Sequence, residues 1–290
     1  MKSKVENVEW VDILKPQTKD IEFLKKKFRF HDVILKEIAE PSVRAHVERY
    51  DGYIFMVYYF PIFNPHEQTS RRAEIDFLIT KNAVVTVHYE PLELLNEFHD
   101  FTFKNSLDLV YKITSAFFRF EERQLRHIAS KVEAIGNELF QNREREVLKK
   151  VSRLKRDISE YRIIVRLEES ILSSLLQHGP SLWGDESRVY LNDLLGEHLK
   201  IVNQIENYRE AVLDFEETNN QLMNSKTTEV MKTFTILSFL TFPFVLAITL
   251  LGLPLPGNPL AEFHSFWFVF GAIVVGIVGL VAYFKKKGWL

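Results

Sequence analysis

Polar and apolar positions along the chain follow three different rhythms. From Ser42 to Glu90 they alternate, through "SVRAHVERY", "YIFMVYYFPIF", "RRAEIDFLIT" and "AVVTVHYE". The runs are separated by Asp51-Gly52 and Lys81-Asn82, and Asp-Gly between two β-rich runs predicts a hairpin. An antiparallel sheet is therefore expected. Helical patterns at Asp20 to Lys27, His31 to Glu40 and Leu92 to Phe103 flank it, giving a small α/β domain over residues 1–105. After Asn105 the alternation stops and charged helical stretches follow, roughly Leu107 to Gln141, Arg143 to His178, and a third from near Asp185, with Gly179-Pro180 and Gly184 separating the last two. These form a helical stalk region over residues 106–232.

The third rhythm is continuous apolarity. Phe234 to Leu251 and Phe266 to Phe284 each come close to the roughly 20 apolar residues that a helix needs to cross about 30 Å of hydrocarbon. Residues 233–290 are read as two transmembrane helices with a basic tail. Lys226 and Lys232 precede the first span, Lys285, Lys286 and Lys287 follow the second, and the connecting loop has no Lys or Arg, so both termini are expected in the cytoplasm. Ala272, Gly276 and Gly279 share one face of the second span, which predicts close packing against the first.

In the third stalk helix, Leu191, Leu195, His198, Val202, Ile205, Val212, Phe215, Asn219 and Leu222 recur at alternating spacings of three and four, with Arg209 in one slot. This is a heptad seam and asks for parallel partner helices. No proline or glycine interrupts Glu197 to Phe242, and a helix from Asp185 to Leu251 would be about 100 Å long. Such a rod suits either a membrane-tethered coiled coil or an oligomer whose central helices surround an axis. Carried forward at the same spacing, the pattern meets Glu217, Gln221, Asn224, Thr228, Met231, Thr235, Ser238, Phe242, Val245 and Thr249. Intramembrane hydroxyls serve as interhelical hydrogen-bonding groups, or, repeated around an axis, as rings of oxygen of the kind that hard divalent cations take.

Composition removes several function classes. The 290 residues carry a net charge of −2, which gives no nucleic-acid footprint, and the absence of cysteine excludes disulfides, thiolate metal sites and cysteine nucleophiles. No glycine-rich phosphate loop, nucleophile elbow or metal-ligand spacing is present, so no enzyme is expected. His46, His88, His127, His178, His198 and His264 are scattered. His198, on the seam, would couple packing to pH.

The run from "YLNDLLGEH" through "TTEVMKTFTILSFLTFP" to the tail "YFKKKGWL" resembles the CorA family of magnesium and divalent-cation channels. "WVDILKP", "VERYDGYIFMVYYF" and "EIDFLITKNAVVTVH" are similar to that family's cytoplasmic domain. The resemblance implies an α+β cytoplasmic domain, a long α-helical stalk and two C-terminal transmembrane helices, assembled as a homopentameric funnel in the cell membrane. It also implies Mg2+ as transported and regulatory ion, with other divalent cations as possible cargo. The partners it implies are further copies of the chain, the lipid bilayer and metal ions, with no nucleic acid. The first span would line the pore and the second would form an outer ring. Met231 matches a family constriction, Thr228 falls where asparagine is usual, and Glu217 falls where an acid lines the pore. Asp193 matches an acid that binds regulatory magnesium between subunits, and Lys285, Lys286 and Lys287 would join a basic ring at the inner membrane surface.

One departure changes the expectation. The family's Gly-Met-Asn motif, which receives hydrated magnesium at the outer mouth and is where cobalt hexammine competes, is absent. Gly252, Leu253 and Pro254 stand there in an ungapped reading, and Asn258 and Glu262 are the nearby polar groups. Altered selectivity at the outer mouth is expected. A zinc or other divalent-cation transporter of the same family, or a non-conducting oligomeric scaffold or sensor, are the competing readings.

Overall fold

The computed structural model describes residues 8–64, 66, 69–98, 101–252 and 263–288. The chain divides into two compact units, Met1–Glu217 and Thr218–Leu290. In the first, β1 (Glu9–Leu14), α1 (Thr18–Phe28) and α2 (Asp32–Glu37) precede β2 (His46–Tyr50), β3 (Tyr53–Asn64), β4 (Thr69–Thr80) and β5 (Ala83–His88). The sheet order is β1-β5-β4-β3-β2. Neighbours from β2 to β5 pair antiparallel, as the turn residues predict, with Gly52 at φ 82 in the β2–β3 turn, the left-handed region that favours glycine. The sheet is nevertheless mixed, because β1 adds to β5 in parallel, with Glu9 opposite Ala83 and Leu14 opposite His88. No local turn advertises a partner more than seventy positions away. Trp10 Nε1 donates to Thr86 Oγ1 at 3.0 Å, fixing that register.

Both faces of β3 are covered. Tyr53, Phe55, Val57 and Tyr59 enter a core with Leu24 of α1 and Ile34, Leu35 and Ile38 at α2. On the alternate side, Tyr58 and Phe60 lie against Phe117 of the long helix α4 (Ser106–Glu138), at ring separations of 5.6 and 4.4 Å. Only Glu93–Asn96 (α3) of the third expected short helix is helical, and residues 101–103 are not.

α5 spans Glu144–Trp183, straight through Gly179-Pro180, so those residues do not separate the helices as expected. Pro180 sits in the last turn, where a missing N–H costs one bond, and its carbonyl accepts the Gly184 N–H at 2.9 Å. Gly179 serves packing instead. A Cβ there would lie 2.8 Å from Leu191 Cδ1 and 3.1 Å from the Trp183 ring. The break falls at Gly184, φ 87, and α6 (Ser187–Leu251) begins three residues later.

The heptad pattern of α6 is real, but its partners are α4 and α5 of the same chain. Leu191, His198, Ile205 and Val212 are buried as the seam requires, yet the intervening buried positions are Leu194 and Ile201, while Leu195, Val202 and Phe215 are only half-buried. Phe215 reaches α4, where a Cβ at Gly136 would come 3.3 Å from its ring. Lys155 Nζ meets Glu216 at 2.6 Å and Arg162 pairs with Glu206, tying α5 to α6.

The second unit contains the rest of α6 and α7 (Phe263–Lys286). Both helices are long and apolar enough to cross a membrane, and only 6% of the residues in each apolar window are buried, unlike the core helices of a soluble protein. The less exposed positions form one row on each helix: Ile236, Leu240, Phe244 and Ala247 on α6, and Val269, Ile273, Ile277, Leu280 and Phe284 on α7. Lys232 Nζ donates to the Gly288 carbonyl at 3.1 Å. The small residues are elsewhere. Ala272, Gly276 and Gly279 are exposed, and a Cβ at either glycine meets nothing within 4 Å, so the expected small-residue contact between the spans is not made.

Placement of the buried row makes a measurable distinction between adjacent residues. Ile201→Ala should cost about 2–5 kcal/mol of stability, the range for an emptied core site. Val202→Ala, half-exposed beside it, should cost no more than about half as much by thermal or chemical unfolding.

Candidate ion pathway

Glu217, Asn224, Thr228, Met231, Thr235, Ser238, Phe242, Val245 and Thr249 are all exposed along α6, as is Gln221. They do not continue the buried seam. Phe215, Asn219 and Leu222 precede Glu217, Gln221 and Asn224 by two positions each, which at about 100° per residue puts the two rows on opposite sides of the helix. The exposed row also extends toward the start of α6, through Asp214, Glu210, Asn207, Asn203, Lys200 and Gly196 to Asp193, every one exposed. That extension was legible in the spacing but was masked by the apolar seam.

Hydroxyl geometry within the row follows from helix chemistry. Thr228 donates to the Asn224 carbonyl at 2.9 Å, Thr235 to Met231 at 2.8 Å, Ser238 to Phe234 at 2.9 Å and Thr249 to Val245 at 2.6 Å. A serine or threonine in a helix satisfies its proton locally in this way. Each hydroxyl oxygen then presents lone pairs outward and no proton. Off the row, Thr241 makes the same bond to Leu237 at 3.0 Å. The chemistry is thus common to these hydroxyls, and position alone distinguishes those on the row.

Of the outer-mouth residues, Gly252 is an exposed turn whose N–H donates to the Ile248 carbonyl at 3.0 Å. Leu253, Pro254, Asn258 and Glu262 lie outside the described residues. At the other end of α7, Lys285 and Lys286 occupy the last turn and Lys287 follows it, all exposed, where cations complement the helix dipole. Lys287 Nζ also lies 5.7 Å from the Tyr283 ring centre.

Asp193 is on the first turns of α6, exposed, and its Oδ2 accepts the Tyr111 hydroxyl of α4 at 2.7 Å. Tyr111 packs edge-on against Tyr190 at 5.4 Å. One helical turn on, burial and then the Asp193 charge push the Glu197 carboxyl above its ordinary range. Among the described residues no three Asp, Glu or His side chains of one chain are arranged to hold a metal ion. Asp193 and Glu197 offer two carboxylates one helical turn apart.

His198 was singled out on the seam, but the two acids that accompany it were not anticipated. Glu121 of α4, Glu168 of α5 and His198 of α6 are completely buried. His198 Nδ1 lies 3.1 Å from Glu168 Oε2. Each occupies an apolar slot of its helix: Phe117, Glu121, Leu125; Ile164, Glu168, Ile171; Leu194, His198, Ile201. A charge at a core position of a periodic pattern was the available signal.

Comparison with known proteins places these features in one family. A family model described as CorA-like Mg2+ transporter protein matches residues 5–286. The chain is 24% identical to the cobalt/magnesium transport protein CorA of Thermotoga maritima, over 97% of this chain and 83% of that protein. It is 22% identical to the protein of the same name from Methanocaldococcus jannaschii, over 97% and 91%. The complete structure of the CorA magnesium transporter from Methanocaldococcus jannaschii superposes with a TM-score of 0.82 at 21% identity, covering 97% of this chain and 91% of that one. The α+β unit, the long helix and the C-terminal apolar helix share that fold, and the chain belongs to the CorA-like Mg2+ transporter family.

Proposed function

We propose that the chain is a membrane channel for divalent metal cations, with Mg2+ as the transported ion, built as a homopentamer around the exposed face of α6. The observation that carries the reading is the exposed row from Glu217 to Thr249, polar through much of an apolar span and lined with hydroxyl oxygens whose protons are already committed to the helix. Uncovered intramembrane polar groups need partners, and a shared aqueous axis supplies them. The names of the Thermotoga and Methanocaldococcus relatives, cobalt/magnesium transport proteins, support the cargo. In this arrangement α6 lines the path, α7 lies outside it, and the lysines flanking both spans hold the termini in the cytoplasm.

Met231 and Phe242 are the bulky members of the row, 60% and 69% exposed in one chain, and form its constrictions when several copies converge. Glu217 is the acid below them. Without Gly-Met-Asn, the outermost hydroxyl ring on the row is that of Thr249. Neutral oxygens attract a divalent ion less than carboxylates do, so a hydrated ion is held loosely and discrimination among divalents is weak.

Flux into proteoliposomes tests the path. Thr249→Val should lower Mg2+ flux about tenfold, the equivalent of about 1.4 kcal/mol spread over the ring, while Thr241→Val leaves it unchanged. Cobalt hexammine should block weakly. Equal effects of the two substitutions, or strong Mg2+ selectivity with tight block, would place the selective mouth on other residues. Absence of flux for every divalent ion would leave a non-conducting assembly.

Regulation is read at Asp193. We infer that a cation bound between Asp193, Glu197 and a neighbouring subunit offsets the repulsion from Asp193 that, after burial, pushes the Glu197 carboxyl up. Asp193→Ala should abolish the Mg2+ dependence of protease protection; unchanged protection would put the regulatory ion elsewhere.

A further inference from the structure

The group formed by Glu121, Glu168 and His198 has no place in an ion path, yet it sits where the three long helices of the first unit meet. Side chains from β3, α4, α5 and α6 converge there. Tyr58 of β3 adjoins Glu168. Tyr161 of α5 donates its hydroxyl to the Glu121 main-chain carbonyl at 2.9 Å. His198 is 6.2 Å from the Phe118 ring of α4. The charged and titratable groups facing the site are Tyr58 from β3, Glu121 and Glu122 from α4, Asp157, Tyr161, Glu168 and Glu169 from α5, and His198 from α6. Asp157 is paired with Lys131 at 2.9 Å, and among the described residues no Lys or Arg is bonded to Glu121 or Glu168.

Hydrogen bonding shows what state the site must adopt. As carboxylates, both oxygens of Glu121 and Oε1 of Glu168 lack a donor, and His198 Nε2 lacks a partner. Glu121 and Glu168 lie within reach of one another, but two carboxylates have no hydrogen between them. Leaving two ionised carboxylates side by side in a dry core is prohibitive. With protons on both acids the pair carries no charge: Glu121 and Glu168 share one hydrogen bond, and the remaining acid hydrogen lies on the 3.1 Å line between Glu168 and His198, while His198 Nε2 stays without a partner.

We propose that Glu121 and Glu168, the latter in contact with His198 of α6, form a proton-holding latch that fixes α6 against α4 and α5, and that α6 loosens when the two acids lose their protons. The same helix carries the exposed row, so the latch gives the ambient proton concentration a grip on the element that bears it. Burial pushes the Glu121 carboxyl up to about 8 and the Glu168 carboxyl well up, the latter further raised by Glu121. An acid whose folded value is raised holds its proton only when closed, so its stabilisation is complete below the ordinary value of 4.5 and is lost as pH rises to about 8. Between pH 6.5 and 8 the carboxyls alone set the slope.

Amide hydrogen exchange on the full chain in lipid nanodiscs reads the latch directly. From pH 6.5 to 8, corrected for intrinsic rates, protection of α6 amides from Leu194 to Ile205 should fall at least about tenfold. The E121Q/E168Q double variant should show no such fall. A flat wild-type profile, or an equal fall in the double variant, overturns the proposal. Infrared spectra of wild-type protein with isotope-labelled glutamate provide a second readout that does not require the double variant to fold. A protonated glutamic acid carbonyl band should be present at neutral pH and shrink in E121Q; its absence, or indifference to that substitution, overturns the latch equally.

Discussion

The rotation of α6 about its own axis is the constraint on which the rest depends. Burying Leu191, Leu194, His198, Ile201, Ile205 and Val212 removes apolar surface from water on one side, and helix geometry then dictates what the other side presents. A helix offers no intermediate choice. Gly179 and Gly136 allow α5 and α4 to approach closely enough for this row to seat, at Leu191 and Phe215 respectively, so two absent methyl groups help decide which side of α6 is turned away from α4 and α5.

Most of the architecture could be read from the chain because its signals are local. Asp51-Gly52 specified the β2–β3 hairpin at the sheet edge, alternation specified the strands, and the uncharged runs specified the spans. What could not be read depends on choices between chemically equivalent neighbours. Leu194 and Leu195 are both leucine, and Ile201 and Val202 are both β-branched aliphatics, so the period of the seam was visible while its rotation was not. Assigning the seam to another subunit followed from that ambiguity, since a heptad does not state whose helix fills it. β1 was missed for a related reason: six residues pairing in parallel with a distant strand leave no turn between them. Pro180 marks the opposite error, a strong breaker placed where the helix was about to end anyway.

In the candidate path the polar row stood out because hydroxyls and amides are conspicuous in an apolar run. The acids at positions 121 and 168 were hidden by abundance, being two among 39 acidic residues in a charged helical region. Only their coincidence with the core period separates them from the solvated majority. The helical core therefore combines two kinds of polar chemistry: ion pairs such as Lys155–Glu216 remain partly wet and contribute modestly, whereas the buried acids are tolerable only as neutral species.

From Gln221 to Thr249 the row contains no charged side chain, although Lys226, Glu229 and Lys232 lie on neighbouring faces of the same helix. In the proposed channel a divalent ion would meet no fixed countercharge along this stretch, and its own water would remain its best ligand. The wall then supplies little of the driving force. Carrying two charges through 100 mV is worth about 4.6 kcal/mol, several times any single hydroxyl contact, so an uncharged wall transfers control of the rate from the protein's chemistry to the voltage across the membrane.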